Sequence, residues 1–286
     1  MDNLKAKKRH PEEIAVYTAI YVCAAFSVLL LLGIIIYVFA KGARRVNWAF
    51  LTGVTSILHG TVGIAGNILN TLIIILLTMI ITTPIGVGAA IYLNEYAKPG
   101  KLVTVIIFAT ETLAGIPSII FGLFGMLLFG QLCHMGYSLL TGSLTLTLMV
   151  LPLVTRNTQE ALKTVPDSFR TGAVGLGAGK WYTIRTILLP SAMPGIVTGV
   201  ILAIGRIIGE SAALLFTAGS AHLLPKTFDA FLEKIFHSGG TLTIQLYLSA
   251  SKGEFEVAFG IAVVLLVIVL LINFGTKRLS KNLEKH

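Results

Sequence analysis

The sequence predicts an all-α integral membrane protein with about six transmembrane helices. Three observations carry the prediction. Of 286 residues, 55% are hydrophobic and only 12% charged, with a mean hydropathy of +0.86; a soluble domain carries roughly twice that share of charge. The apolar residues fall in long uncharged blocks, each long enough to cross a bilayer. The cations gather in alternate connections between those blocks, as they do in polytopic membrane proteins.

The elements follow in chain order. Residues 1–13 form a basic tail with Lys5, Lys7, Lys8 and Arg9. The apolar run at about 14–40 is too long for the core of a secretory signal, and Lys41 stands where small cleavage-site residues belong. It is therefore expected to be a retained first span. The second span is expected at about 67–93, interrupted near Pro84, Gly86 and Gly88. The third, at about 103–129, contains Gly115-Ile116-Pro117. The fourth, at about 138–154, is short and rich in Ser and Thr. The fifth covers about 191–217 and the sixth about 257–274. The membrane domain thus occupies 14–274, and 275–286 form a second tail. The outer connection at 218–256 contains an apolar stretch, 228–236, open to reading as a short interfacial helix or a plain loop.

Placing both termini inside puts fifteen Lys and Arg on the inner side and six on the outer side, with Arg206 inside a span. The outer cations are Lys41, Arg44, Arg45, Lys226, Lys234 and Lys252. This asymmetry accounts for the net charge of +9 without nucleic acid. The two cysteines, Cys23 and Cys133, have neither disulfide-framework nor CxxC spacing and read as packing residues.

The inner connection at about 155–190 is the most informative. Pro166, Asp167 and Ser168 mark a helix start. Gly175, Gly177 and Gly179 make a flexible break, Lys180 to Ile187 restart a helix, and Pro190 stands where the fifth span is expected to begin. Two short helices around a glycine turn make a knuckle able to seat in a soluble partner. From Gly177, nine residues lead to Ile187-Leu188-Leu189-Pro190. That spacing resembles the EAA loop of ABC importer permeases: EAA, three residues, Gly, nine residues, Ile-x-Leu-Pro. Ala173 fills the last Ala position, Gly172 replaces the middle Ala, and Thr171 replaces the Glu. The resemblance implies a coupling surface for an ATPase, to which Arg170, Lys180, Trp181 and Leu189 also belong.

The chain cannot supply the ATPase itself. Near Lys180 a phosphate-cradling loop would need Gly five residues before Gly179 and Ser or Thr after the lysine; Val174 and Trp181 stand there instead. No cofactor is therefore expected on this chain, with ATP and Mg held by a partner.

Arg206 and Glu210 lie inside the expected fifth span. Charge there costs at least about 2.5 kcal/mol per residue and turns toward a polar interior. Their i, i+4 spacing places both on one helical face, and Gly199, Ala203 and Ala213 extend it with small side chains, leaving room for a solute or a neighbouring helix. Two readings stand. The pair is structural, or Arg206 offsets a passing anion by forked hydrogen bonds while Glu210 accepts a bond from a protonated phosphate oxygen, which sulfate lacks. Glu111, in the third span, either lines an inner vestibule, pairs with Arg206, or reaches interfacial water.

The stretch Arg206-Ile-Ile-Gly-Glu210-Ser211 is similar to the Arg-x-x-Gly-Glu-(Ser/Thr) motif of phosphate-specific permeases. Ala90–Tyr96, Leu113–Ser118 with Phe121-Gly122-Leu123, and Asn273 also match. Order and content resemble the PstA subfamily rather than PstC. The resemblance implies a type I ABC importer permease fold and alternating access, with Arg206, Glu210, Ser211 and Glu111 in the pathway. It implies as partners a PstC-like second permease, PstB-like ATPases, an external PstS-like binding protein and the lipid of a bacterial or archaeal cytoplasmic membrane. A permease for sulfate or molybdate, or a secondary phosphate transporter, is the alternative; no internal repeat supports the latter.

Overall fold

The computed structural model describes residues 11–56, 61–225 and 227–283. Lys5, Lys7, Lys8, Arg9, Lys226 and Lys285 lie outside them. The chain opens with α1 (Pro11–Gly42) and a short α2 (Trp48–Thr52), capped by the Asn47 side chain, which accepts from Phe50 N at 2.8 Å. A small antiparallel hairpin follows, β1 (Val54–Ser56) with β2 (Thr61–Ile64). Next come α3 (Ala65–Ile91), α4 (Lys101–Gly115), α5 (Ser118–Gly125), α6 (Leu139–Lys163), α7 (Asp167–Gly175) and α8 (Lys180–Thr183). The chain finishes with α9 (Leu189–Ile208), α10 (Ala212–Thr217), α11 (Phe228–Glu233), α12 (Leu242–Ser251) and α13 (Phe255–Leu283).

Five stretches are long and apolar enough to cross a membrane: Ala15–Arg45, Ala65–Tyr96, Leu139–Lys163, Lys180–Ile208 and Phe255–Gly275. A sixth arises if Lys101–Gly115 and Ser118–Leu132 count as one broken span. The fold class expected from composition therefore holds, with four differences. The third span is bent by 105° at Ile116-Pro117 rather than continuous. Pro117 disfavours helix at Ile116, which is extended at φ −72°, ψ 132°. Pro84, by contrast, sits in an uninterrupted α3.

The fourth span runs nine residues past its expected end, to Lys163 rather than 154. Two of its hydroxyls are satisfied within the helix: Thr145 Oγ1 donates to Thr141 O at 2.8 Å and Thr147 Oγ1 to Ser143 O at 2.9 Å. Small residues with internally bonded hydroxyls let neighbours approach closely. α6 is accordingly the central helix, with 67% of its most apolar window buried, whereas that of α1 is not buried at all. The central core joins Ile74 of α3, Phe121 of α5, Leu146 and Val150 of α6, Ile207 of α9 and Leu214 of α10.

The fifth span begins earlier and ends earlier than expected. The helix is continuous from Lys180, and Pro190 lies within it, preceded by a wide π turn at Ile184–Leu188. Such a turn re-registers the backbone where proline cannot donate. The helix stops at Ile208, short of the expected 217. Finally, the outer connection holds α12, which the sequence reading left as loop, as well as α11 within 228–236. The α11 region packs one side inward, with Phe231 and Ile235 against the central core and Lys234 buried, while Leu232 and Phe236 are exposed.

Contacts sort the connections into two ends. Tyr37 of α1 meets Phe259 near the start of α13 edge-on at 5.7 Å. Asn67 and Asn70, at the start of α3, both donate to Gly240 O, and Ser138 N donates to Thr217 O. These gather 42–56, 61–66, 133–138, 218–225 and 227–254 at one end. At the opposite end Glu95, just past α3, meets Arg170 of α7.

Candidate functional site

Two regions carry the polar side chains singled out in the sequence. The first is a cavity of about 500 Å³ between α4, α6 and α9. Its inner wall is Ile116, Phe121, Met149 and Pro152, and its polar groups are Glu111, Arg156, Gln159, Glu160, Lys163 and Arg206. Arg206 and Glu111 therefore share one chamber. Among the described residues Arg206 makes no ion pair. Glu111 stands on the chamber wall and is exposed, and it makes no ion pair with Arg206.

Glu210 is positioned differently from the expected helical face. Because α9 ends at Ile208, Glu210 lies beyond the helix and is buried. Its Oε1 accepts from Ala213 N at 3.1 Å, capping α10, and its carbonyl accepts from Thr243 Oγ1 at 2.8 Å. Ser211, half-buried, completes the same break. Arg206 and Glu210 thus do not share a helical face. The small-residue stripe is filled by a neighbouring helix: a Cβ added at Gly199 would stand 2.6 Å from Asn157 Cβ, and one at Gly195 2.6 Å from Ala161 Cβ, both on α6. Ala203 is fully buried in the core.

The second region is the α7–α8 knuckle. Asp167 and Pro166 start α7 as expected, and Gly177 turns the chain at φ +80°, a conformation natural to glycine. Arg170 ties the knuckle to α3. Its Nη2 donates to Glu95 Oε1 at 2.9 Å and to Leu162 O at 3.0 Å, and its Nη1 to Asp167 Oδ1 and Val165 O, each at 3.0 Å. The hydrogen bond to Glu95 is the main cause holding the guanidinium pKa above its ordinary value. Lys180 Nζ lies 4.6 Å from the Tyr96 ring centre, a second link to the same end of α3.

The rest of the knuckle divides into seal and display. Ala173 is buried, as are Ile184 and Leu188, while Ile187 and Leu189 are half-buried and Pro190 is exposed. Thr171 and Gly172 face solvent, the Thr171 hydroxyl donating to Asp167 O at 3.2 Å. Leu176 is 91% exposed, and Trp181, Tyr182 and Val174 are exposed beside it. An apolar display on a polar, glycine-turned knuckle is the property of a protein-docking surface.

Comparison with known proteins decides the family. Residues 82–286 match the family described as "Binding-protein-dependent transport system inner membrane component". The chain belongs to this family. The Bacillus subtilis "Probable ABC transporter permease protein YqgI" is 35% identical over 273 residues, 92% of this chain and 93% of the relative. The Xylella fastidiosa (strain Temecula1) "Phosphate transport system permease protein PstA" is 34% identical over 244 residues, 84% of this chain and 82% of the relative. Among solved structures, a chain of a bacterial alginate ABC transporter superposes with a TM-score of 0.67 at 16% identity, covering 94% of this chain and 96% of that one. That likeness establishes the type I importer permease fold.

As a member of this family the chain is a multi-pass membrane transport subunit, not an enzyme; an ATPase and a substrate-binding protein are its partners. The residue of the knuckle's anchorage that sequence reasoning missed is Glu95. It lay inside a matched stretch, but its partner is 75 residues away, and no local pattern pairs the two.

Proposed function

We propose that this chain is the permease subunit of an ATP-driven importer of inorganic phosphate and forms half of an alternating-access pathway. The observation that carries the reading is Arg206: an exposed arginine without an ion pair among the described residues, on the wall of a cavity that Glu111 also lines, in a chain 34% identical to a phosphate transport permease over most of its length. An uncompensated cation in a span is retained where it meets an anion. A planar fork of donors suits a tetrahedral oxyanion.

In this reading the end carrying the knuckle is cytoplasmic, both termini lie on that side, and the membrane is the bacterial or archaeal cytoplasmic membrane. Thr171 to Pro190, with Arg170, form the surface on which a PstB-like ATPase seats, and Leu176 and Trp181 are its apolar contacts. ATP and Mg belong to that ATPase. A PstC-like permease completes the pathway, and a PstS-like protein delivers phosphate at the far end. Glu111 and Arg206 face the anion. Glu210 and Ser211 stand behind it at the α9–α10 break, where movement of α10 would bring the Glu210 carboxylate to a protonated phosphate oxygen and discriminate against sulfate.

The test is phosphate uptake into vesicles holding the chain with its partners, comparing wild type with Arg206→Gln. ATP-dependent uptake that collapses in an assembled mutant complex is expected. Unchanged uptake by Arg206→Gln, or equal uptake of sulfate and phosphate by the wild type, would sink the reading.

A further inference from the structure

The cavity is not symmetrical about Arg206. One wall is a single face of α6, where Pro152, Arg156, Gln159 and Lys163 follow at spacings of four, three and four residues and all line the chamber. The two ends of that face differ: Pro152 is buried, while beyond it Arg156 is exposed, Gln159 half-buried and Lys163 exposed. The wall therefore runs from the core to open water at the last residue of α6. Two cations and a neutral amide stand along it, displaced toward the knuckle from Arg206.

We infer that Arg156, Gln159 and Lys163 form an exit site for the transported anion, distinct from the inner position at Arg206; the identity of that anion as phosphate rests on the function proposed above. The chemistry supports handing an anion outward. Arg156 spends only Nε on Glu160 Oε1, at 3.2 Å, leaving the two terminal nitrogens of its fork. That ion pair is open to water, with side chains 69% and 61% exposed, and exposed i, i+4 pairs are weak and salt-screened. A passing oxyanion can take the place of the Glu160 carboxylate without a large barrier. Lys163 makes no ion pair among the described residues and offers three donors at the mouth. Glu160 and Glu111 set the balance. With two carboxylates against three cations the chamber attracts an anion yet does not hold it tightly, as release requires.

The test reads the electrostatics of the wall separately from transport. Gln159→Cys is placed in the complete complex in vesicles, with the exposed free cysteines Cys23 and Cys133 replaced by Ser. Its rate of modification is then measured with a negatively charged and a positively charged methanethiosulfonate reagent. Two nearby cations favour the anionic reagent by about tenfold at low salt, after screening. We expect that preference, its loss in Arg156→Gln/Lys163→Gln, slowing of the modification by inorganic phosphate, and several-fold slower phosphate uptake by the double variant despite normal assembly. Thr110→Cys, on the facing α4 wall, gives the same readout if Gln159→Cys does not assemble. An equal rate for both reagents, or a preference untouched by the double substitution, overturns the exit site. A preference that behaves as expected but is protected by sulfate and not phosphate upholds the exit site and removes phosphate as its cargo.

Discussion

Breaking the Arg170–Glu95 pair should release the knuckle from the bundle while leaving the bundle folded. The pair is short, 2.9 Å, with Glu95 only 8% exposed and Arg170 23%. Breaking a fully buried pair costs about 3–5 kcal/mol, whereas exposed pairs contribute about 0–1 kcal/mol. The mixed exposure places Arg170→Met at about 2–3 kcal/mol, because Glu95 loses its fork and the Leu162 and Val165 carbonyls lose their donor. At 1.4 kcal/mol per tenfold, the locally open fraction of the knuckle rises roughly 30- to 150-fold. Amide hydrogen exchange across 167–176 should accelerate by that factor, while the central α6 amides stay unchanged. ATP hydrolysis by the assembled transporter should continue with reduced uptake per ATP. Glu95→Gln should give a smaller effect, and the double variant less than the sum of the two. Wild-type exchange across 167–176 in Arg170→Met would refute the reasoning, since the loop would then be held by something other than this pair.

Three further outcomes follow from packing and charge. Gly66→Ala would place a Cβ 1.9 Å from His222 O, a backbone atom; overpacking of this kind costs about 1–3 kcal/mol, and a Tm equal to wild type would contradict the close approach. Asn70→Ala removes the side-chain donor to Ala221 O and one of the two donors to Gly240 O, which keeps Asn67; it should cost about 1–3 kcal/mol, chiefly for the Ala221 carbonyl, read as faster exchange confined to 218–241. Lys234 is buried with its ammonium on Leu223 O, and desolvation lowers its pKa. A base with a folded pKa below its unfolded value makes the fold less stable while it is protonated, and that penalty fades as pH rises through the folded value toward the unfolded one. The Tm difference between Lys234→Met and wild type should therefore fall between pH 7 and pH 10; a constant difference would mean that burial does not bear on this amine.

What the sequence made legible were the features that composition and spacing carry directly. Long uncharged blocks located the spans, and Gly177 to Pro190 located the knuckle because its turn chemistry is local. Breaks inside apolar blocks were harder. Gly115-Ile116-Pro117 signals an interruption, but the apolar run continues through Phe121 to Phe124, so hydropathy reads one span where the backbone turns through 105°. The same masking hides the end of α9, since Ala212 to Phe216 continue the apolar pattern beyond Gly209. α6 is longer than hydropathy indicates for the opposite reason: Thr and Ser lower hydropathy, yet hydroxyls such as those of Thr145 and Thr147 bond within the helix. The α12 helix is similarly diluted by Thr243, Gln245 and Tyr247. The Glu95–Arg170 link and the α6 wall of the cavity are tertiary, and no period or motif announces them.

The break at 209–211 and the free arginine are two aspects of one arrangement. Had α9 continued, Glu210 would stand one turn from Arg206 at the spacing that favours an intrahelical ion pair, and the positive charge would be cancelled. Instead Gly209 N closes on Gly205 O at 3.2 Å, and the chain leaves the helix. The Glu210 carboxylate then accepts from Ala213 N in the first turn of α10, where the N-terminal partial charge of that helix favours an anion. Thr243 of α12 holds the Glu210 carbonyl from the other side. The carboxylate is thus occupied locally, and Arg206 turns to the cavity without a partner among the described residues. The helix stop separates two opposite charges by only four residues while keeping them from meeting. Any movement that straightens 209–211 would bring the Glu210 carboxylate within one turn of Arg206 and neutralise the cation on the chamber wall.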